Sequence, residues 1–165
     1  MNPSPQLRVQ AATLQDVPLL LEMARGLAAY ERLPNAITAT EADLHKHLFG
    51  SRPAAEAAIG YIGDEPAGMV VFYNTFSTFV GQPGIYLEDI YVDERWRGHG
   101  LGRVLMQYVA KLSVARGCGR FEWSVLDWNA PAIGFYEKLG ARPQSEWTMY
   151  RLQGEALARL AAETP

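Results

Sequence analysis

The sequence has little cysteine and little histidine. Cys118 is the only cysteine among 165 residues, which excludes an intrachain disulfide and a cysteine-rich metal site. A partly buried thiol is its expected state. Of the three histidines, His45 and His47 are two residues apart and lie on different faces of a predicted helix, so they form no chelating pair. We therefore expect no metal site.

A large charge of one sign and long apolar runs are also missing. The chain has 15 basic and 18 acidic residues and a formal charge of −3, which gives no electrostatic footprint for nucleic acid. No apolar run reaches the roughly 18 residues of a membrane span, and residues 1–5 lack the order of a signal peptide. We expect one domain over residues 1–165, a cytoplasmic location, and neither a membrane nor a nucleic-acid partner.

The apolar residues that are present predict an α/β fold. Their spacing gives the order β-α-α-β-β-β-α-β-α-β and a short final helix. Strands are predicted at 7–10, 57–62, 67–76, 85–92, 121–126 and 147–152, and helices at 13–30, 40–50, 100–116 and 131–140. Thr13 with Asp16, and Thr40 with Asp43, have the spacing of helix-capping boxes. A hairpin followed by a crossover helix indicates a mixed central sheet flanked by helices.

A glycine-rich turn leads from the strand at 85–92 into the helix at 100–116, with the sequence Arg97-Gly98-His99-Gly100-Leu101-Gly102. A helix N-terminus presents unpaired N–H groups and a positive dipole end, and glycines let a phosphate approach the backbone. Arg97 and Arg103 add positive charge. The spacing differs from the dinucleotide fingerprint and lacks the lysine of a P-loop. By itself, the motif predicts either a phosphate site or a simple glycine-rich connection.

Two consecutive carboxylates, Glu88 and Asp89, interrupt the otherwise apolar strand at 85–92. Successive side chains of a strand point to opposite faces, so at least one carboxylate is expected to be buried or in a cleft. A charge in such a place needs a partner, and an alkylammonium substrate is one candidate. The alternative is that Glu88 lies exposed on a solvated face of the sheet.

The order of the motifs resembles one protein family. Arg97-x-x-Gly100-x-Gly102, followed later in the chain by Asn129 and Tyr136, is similar to the acetyl-CoA motif of the GNAT (Gcn5-related N-acetyltransferase) superfamily. Segments 27–31, 86–89, 96–102, 128–131, 135–136 and 140–141 resemble its diamine (spermidine/spermine) acetyltransferase branch. The resemblance covers most of the chain. It implies the GNAT acyl-CoA N-acyltransferase fold, with acetyl-CoA as the acetyl donor.

The resemblance also implies which residues hold acetyl-CoA. The main chain of Ile90, Tyr91 and Val92 pairs with the pantetheine arm. The pyrophosphate is held by Arg97, Gly98, His99, Gly100, Leu101, Gly102 and Arg103. Asn129, Ala132 and Tyr136 complete the cofactor contacts, and Tyr136 donates a proton to the departing thiolate. The residues alone leave two alternatives open, because Tyr136 has the spacing of a core aromatic and Asn129 that of a helix cap.

For the acceptor side, the resemblance implies that Glu88 binds the amine and accepts its proton, directly or through water. Asp89 is then structural. Tyr30 and Glu31 line the acceptor site, as do Glu122, Trp123 and Ser124. An ordinary surface ion pair between Glu31 and Arg32 is the alternative for that segment.

The sequence departs from the diamine branch at two places. Thr148 occupies the position of an acidic residue, and Phe76 and Phe79 lie in a loop where that branch has an indole. We expect acetylation of a primary amine of a small diamine-like or polyamine-like molecule. The alternatives are an amino acid with a side-chain amine, such as thialysine, and a non-catalytic module that binds acyl-CoA. The resemblance further implies a homodimer.

Overall fold

The computed structural model describes residues 6–164. Its strands are β1 (Leu7–Ala11), β2 (Glu56–Ile62), β3 (Glu65–Ser77), β4 (Gln82–Val92) and β5 (Arg120–Trp123). Its α-helices are α1 (Val17–Tyr30), α2 (Glu41–Phe49), α3 (Leu101–Ala115), α4 (Ala130–Lys138) and α5 (Gly154–Ala162). Single 3₁₀ turns cover Leu14–Asp16 and Glu94–Trp96. The chain divides into two compact units, with the boundary between Leu126 and Asp127. That they form one domain stays a prediction.

The first unit contains a five-stranded mixed sheet in the order β1-β2-β3-β4-β5. Neighbours from β1 to β4 are antiparallel, and β5 is parallel to β4. The hairpin predicted at 57–62 and 67–76 is confirmed as β2 and β3. The parallel pair follows because α3 carries the chain back across the sheet before β5 begins. The predicted α/β class with a mixed sheet is therefore confirmed.

Helices cover both faces of this sheet. Leu20 and Met23 of α1 pack with Ile59 and Met69 in one buried cluster, against which α2 also packs. Leu101 and Leu105 of α3 lie over Gly60, the residue after Ile59. Because consecutive strand residues point to opposite faces, α3 is on the face opposite α1 and α2. The apolar residues of α1 and α3 recur with helical period, which gives each of these two helices one buried side.

The capping boxes predicted from the sequence agree with the starts of α1 and α2. Thr40 and Asp43 form the expected capping box, in which the Thr40 backbone N–H donates to Asp43 Oδ2 at 2.8 Å and the Asp43 N–H donates to Thr40 Oγ1 at 3.2 Å. At the first box, the Thr13 N–H donates to Asp16 Oδ2 at 2.7 Å, and a 3₁₀ turn precedes α1. These contacts join residues three apart, so sequence spacing alone suffices to predict them.

The prediction of a strand at 147–152 is wrong. Residues 147–152 form neither strand nor helix, although the short helix predicted after them is confirmed as α5. The strand predicted at 121–126 also ends early, at Trp123. Composition expresses a preference for strand, but a strand forms only where a neighbour pairs with its backbone. Residues 127–164 contain no strand with which segment 147–152 could pair.

Candidate active site

A β-bulge at Glu88 shapes the acidic part of the site. In the register between β3 and β4, Val71 is opposite Asp89 and Phe72 is opposite Leu87, so Glu88 is an extra residue. An extra residue interrupts the alternation of side chains. Asp89 is two residues before Tyr91 in the regular part of β4 and so shares its face, and Tyr91 packs on the α1 cluster. Glu88 is exposed, whereas Asp89 is half-buried. That their side chains point to opposite faces stays a prediction.

Glu31, Glu88 and Asp89 form an acidic cluster in the first unit. Burial, followed by the negative charges of Glu88 and Glu31, raises the pKa of Asp89 to about 6. Burial also raises the pKa of Glu31. These groups belong to the end of α1 and the bulge of β4, so the tertiary fold assembles a locally negative region. Such a region favours a cation, as an ammonium substrate would provide.

Aromatic rings lie beside this acidic cluster. The rings of Tyr73 and Tyr86, on the paired strands β3 and β4, are 5.3 Å apart between centroids. Burial raises the pKa of Tyr73, and so does the charge of Glu88. The hydroxyls of Tyr86 and Ser124 form a hydrogen bond of 2.5 Å, in which either atom can donate. Sequence reasoning missed both tyrosines and gave Asp89 only a structural role. The two tyrosines lie close together on neighbouring strands, and this can be recognised only when the register of β3 and β4 is known.

The three residues predicted around β5 have different surroundings. Ser124 meets Tyr86, as described. Glu122 forms an ion pair in which Arg120 Nε donates to its Oε2 at 2.8 Å, and the ring of Trp123 lies 5.0 Å from that of Phe121. Ser124 is therefore hydrogen-bonded to one of the tyrosines beside the acidic cluster.

The end of β4 has one backbone edge without a strand. Pairing between β4 and β5 covers Gly84 to Leu87 and stops there, whereas β4 continues to Val92. On its other side, β4 stays paired with β3 as far as Val92. In the described sheet, residues 88–92 thus leave N–H and C=O groups of one edge unpaired by a strand. These include the predicted Ile90, Tyr91 and Val92, and such an edge accepts an extended amide-containing ligand.

The glycine turn has a left-handed glycine on each side of His99, directly before α3 begins. Gly98 and Gly100 have φ of 80° and 87°, a left-handed conformation that costs a residue with a Cβ about 1–2 kcal/mol. Gly100 is the N-cap of α3. His99 Nδ1 lies 3.2 Å from the Trp96 oxygen and 3.0 Å from the Arg97 oxygen, and it donates because both are carbonyls. The ring of His99 therefore braces the turn, beyond the backbone role predicted for it.

Leu101, Gly102 and Arg103 form the first turn of α3, as predicted. Leu101 is buried and anchors the helix start in the core. Arg97 Nε donates to the Val92 oxygen at 3.1 Å, so the turn is tied to the end of β4. The guanidinium of Arg97 also lies 4.4 Å from the centroid of the Tyr30 ring. Arg97 thus contacts α1, a neighbour that the sequence did not reveal.

The second unit contains the remaining predicted cofactor residues. Asn129 caps α4, because its Oδ1 accepts a hydrogen bond of 3.3 Å from the Ala132 N–H. Tyr136 is buried, and its ring centroid is 5.4 Å from that of Phe135 at 55° between the planes. Asn129 therefore has the capping role that was its alternative. The roles of Asn129, Ala132 and Tyr136 toward a cofactor stay predictions.

Among residues 6–164, no group of three or more His, Cys, Asp or Glu side chains is arranged to hold a metal ion. Over the same range, no helix has both the length and the apolar character to cross a bilayer.

Ionisation of Asp89 should lower stability as the pH rises. Its pKa is about 6 in the folded protein and 3.8 ordinarily, so the folded state binds more protons between these values. The free energy of unfolding is therefore expected to fall from about pH 4 to about pH 6. Asp89→Asn should remove this slope and exceed wild-type stability at pH 7 by roughly 3 kcal/mol. Urea denaturation between pH 4 and pH 7 measures the free energy of unfolding. Asp127→Asn, at an exposed aspartate, is the control. An unchanged slope in Asp89→Asn would contradict the prediction.

Known proteins resemble the chain in sequence and fold. A family model described as the acetyltransferase (GNAT) family matches residues 23–141. A thialysine N-epsilon-acetyltransferase from Sus scrofa is 36% identical, over 87% of this chain and 91% of its own. An L-ornithine N5-acetyltransferase from Arabidopsis thaliana is 32% identical, over 91% and 86%. The structure of an integron cassette protein from V. cholerae matches with a TM-score of 0.79 and 24% identity, over 95% of this chain and 98% of that one.

These similarities define the class of protein, which is an N-acetyltransferase with the GNAT fold. The chain belongs to the acetyltransferase (GNAT) family, as its motifs predicted. Acetyltransferases of this family use acetyl-CoA.

Proposed function

We propose that this enzyme transfers the acetyl group of acetyl-CoA to a primary amine of a small molecule by direct attack. The observation that carries the proposal is the course of β4. Its acidic bulge is followed by a backbone edge without a strand, and then by the glycine turn that starts α3. The strand and the turn after it thus present, in order, groups suited to an ammonium, an amide arm and a pyrophosphate.

For the cofactor, we assign the pantetheine arm to the backbone of Ile90, Tyr91 and Val92. The edge at 88–92 supports this assignment, because it offers unpaired amide groups along an extended strand. We assign the pyrophosphate to Arg97 and residues 98–103, and the positive φ of Gly98 and Gly100 supports this assignment. Asn129, Ala132 and Tyr136 complete the set on the strength of the family resemblance.

The reaction needs a neutral amine and a proton for the thiolate. Nitrogen attacks the acetyl carbonyl carbon, an N–C bond forms and the C–S bond breaks. In our proposal, Glu88 takes the proton of the amine, directly or through water, and Tyr136 gives one to the sulfur. Glu31 and Asp89 supply negative charge that holds the ammonium beforehand. No covalent intermediate on the enzyme is required.

The acceptor proposed is a diamine-like or polyamine-like molecule. A second candidate is an amino acid with a side-chain amine, which is favoured by the names of the two relatives. Both share an alkylammonium that suits the acidic cluster. CoA release should be measured with putrescine, spermidine, ornithine, lysine and thialysine. Turnover of one group identifies the acceptor class. Acetyl-CoA binding without turnover of any amine would instead favour a non-catalytic acyl-CoA-binding module.

Glu88→Gln tests the proton acceptor. Removing the carboxylate is expected to lower kcat/KM for amines about 100-fold, with the largest loss at low pH, where more amine is protonated. The pH profile of CoA release measures it. Glu22→Gln, an exposed carboxylate on α1, is the matched control and should keep the wild-type profile. A wild-type profile in Glu88→Gln would remove Glu88 from the mechanism.

We also propose a homodimer and a cytoplasmic location. Support for the dimer comes from exposed apolar side chains in segment 147–152, namely Trp147, Met149, Tyr150 and Leu152. A second copy is the proposed cover, because the family resemblance implies a dimer and each copy repeats this surface. Sedimentation equilibrium should give about twice the 18.3 kDa of one chain. Trp147→Ser with Met149→Ser should shift it to the monomer, and a monomeric wild type would contradict the proposal.

A further inference from the structure

The last turn of α1 is attached to the glycine turn through one pair of side chains. The guanidinium of Arg97 lies over the ring of Tyr30, at 4.4 Å from its centroid. Its Nε donates to the Val92 oxygen at 3.1 Å. One contact uses the face of the guanidinium and the other uses Nε. Together they hold Arg97 between the end of α1 and the end of β4.

This arrangement suits an arginine that must bind phosphate. The Nη donors of a guanidinium lie in its plane, so stacking on a ring does not consume them. Their fork matches two phosphate oxygens. A long exposed side chain otherwise loses rotamer freedom when it binds a ligand, and holding it beforehand reduces that loss. Tyr30 can therefore raise affinity for an anion without touching it.

The position of Tyr30 is itself well determined. The helix α1 ends directly after it, because Arg32 has a φ of 64° and the Leu33 N–H donates to the Ala28 oxygen at 2.8 Å. Four residues before Tyr30, helix and sheet are in close contact, since a Cβ on Gly26 would lie 2.6 Å from the Tyr91 hydroxyl. Tyr30 thus lies directly before a fixed backbone turn, on a helix that packs closely against Tyr91 of β4.

We propose that Tyr30 is a positioning residue for Arg97 and that it couples the binding of the two substrates. The inference rests on the proposed function, in which Arg97 meets the pyrophosphate and Tyr30 with Glu31 lines the amine site. Glu31 follows Tyr30 directly and acts electrostatically on Asp89. A bound amine that orders Tyr30 also favours the position of Arg97 that CoA needs, and bound CoA that orders Arg97 favours the position of Tyr30 that the amine needs. Such coupling is reciprocal.

Calorimetric titration with CoA tests the positioning role. We expect Tyr30→Leu to weaken CoA binding about threefold to fivefold, the usual size of an exposed cation–π contact. Tyr30→Phe keeps the ring and should rescue the affinity, and Tyr30→Met is a second variant if the leucine variant folds poorly. In an Arg97→Ala background, Tyr30→Leu should have no further effect. Tyr61→Leu is the matched control, because it removes a similar contact with Arg8 at 4.0 Å.

The coupling is tested by repeating the CoA titrations in the presence of a saturating amine that the wild type acetylates. The wild type should bind CoA more tightly with the amine than without it, and Tyr30→Leu should lose most of that difference. The inference would be overturned if Tyr30→Leu kept wild-type CoA affinity and coupling. It would also be overturned if Tyr30→Phe and Tyr30→Leu lost CoA affinity equally. Neither result would contradict the proposed function. A wild type that binds no CoA would overturn the proposed function first.

Discussion

Tyr136→Phe should lower kcat by a factor of roughly 100 to 10,000 and leave acetyl-CoA affinity nearly intact. The phenol is the proposed source of the proton that the thiolate takes up, and phenylalanine keeps the ring while removing that proton. Tyr136 is buried beside Phe135, so a ring of the same size preserves the packing. Steady-state assays of CoA release and calorimetric titration with acetyl-CoA measure the two quantities separately.

The control for this variant is Tyr61→Phe, which keeps a ring that contacts the guanidinium of Arg8 outside the proposed site. It should be indistinguishable from wild type in both measurements. Full activity of Tyr136→Phe would refute the acid role and leave Tyr136 as a core aromatic. Loss of acetyl-CoA affinity together with activity would point to a binding role instead of proton donation.

Arg97→Ala combined with Gly100→Val should weaken acetyl-CoA binding by about 100-fold or more. The arginine change removes charge-assisted hydrogen bonds, each of which contributes about 1.5–3 kcal/mol. The valine change forces a β-branched residue into a φ of 87° and places a side chain where the phosphate would approach. Calorimetric titration with acetyl-CoA gives the dissociation constant. Unchanged affinity would contradict the assignment of the turn.

A matched pair of changes separates this effect from general strain. Arg95→Ala removes an exposed arginine two residues away, which pairs with Asp93. Gly63→Val puts the same strain into the β2–β3 turn, where Gly63 has a φ of 61°. The combined control is expected to lose stability but retain acetyl-CoA affinity. If it loses affinity equally, the effect of the first pair is strain and not loss of the phosphate site.

Features that depend on neighbours along the chain were predicted well. The capping boxes at Thr13 and Thr40, the start of α3 at the glycine turn and the β2–β3 hairpin all follow from short-range spacing. Helical periodicity also identified the buried sides of α1 and α3. These features involve residues a few positions apart, so the pattern of residue types carries most of the information.

Features that depend on distant residues were predicted poorly or missed. Segment 147–152 has the composition of a strand, but no strand partner exists among residues 127–164. The bulge at Glu88 became visible only through the register with Val71 and Phe72. A bulge is a property of two strands together, and one strand's sequence did not reveal it.

The sequence by itself determined the family, the mixed α/β architecture and the glycine turn with Arg97 before it. It could do so because motif order and periodicity are local properties of the chain. The tertiary structure alone decided that Glu31 lies near Glu88 and Asp89, that β5 leaves β4 after Leu87, and that Arg97 lies on Tyr30. Each of these depends on strand register or helix packing, which bring together residues that are far apart in the chain.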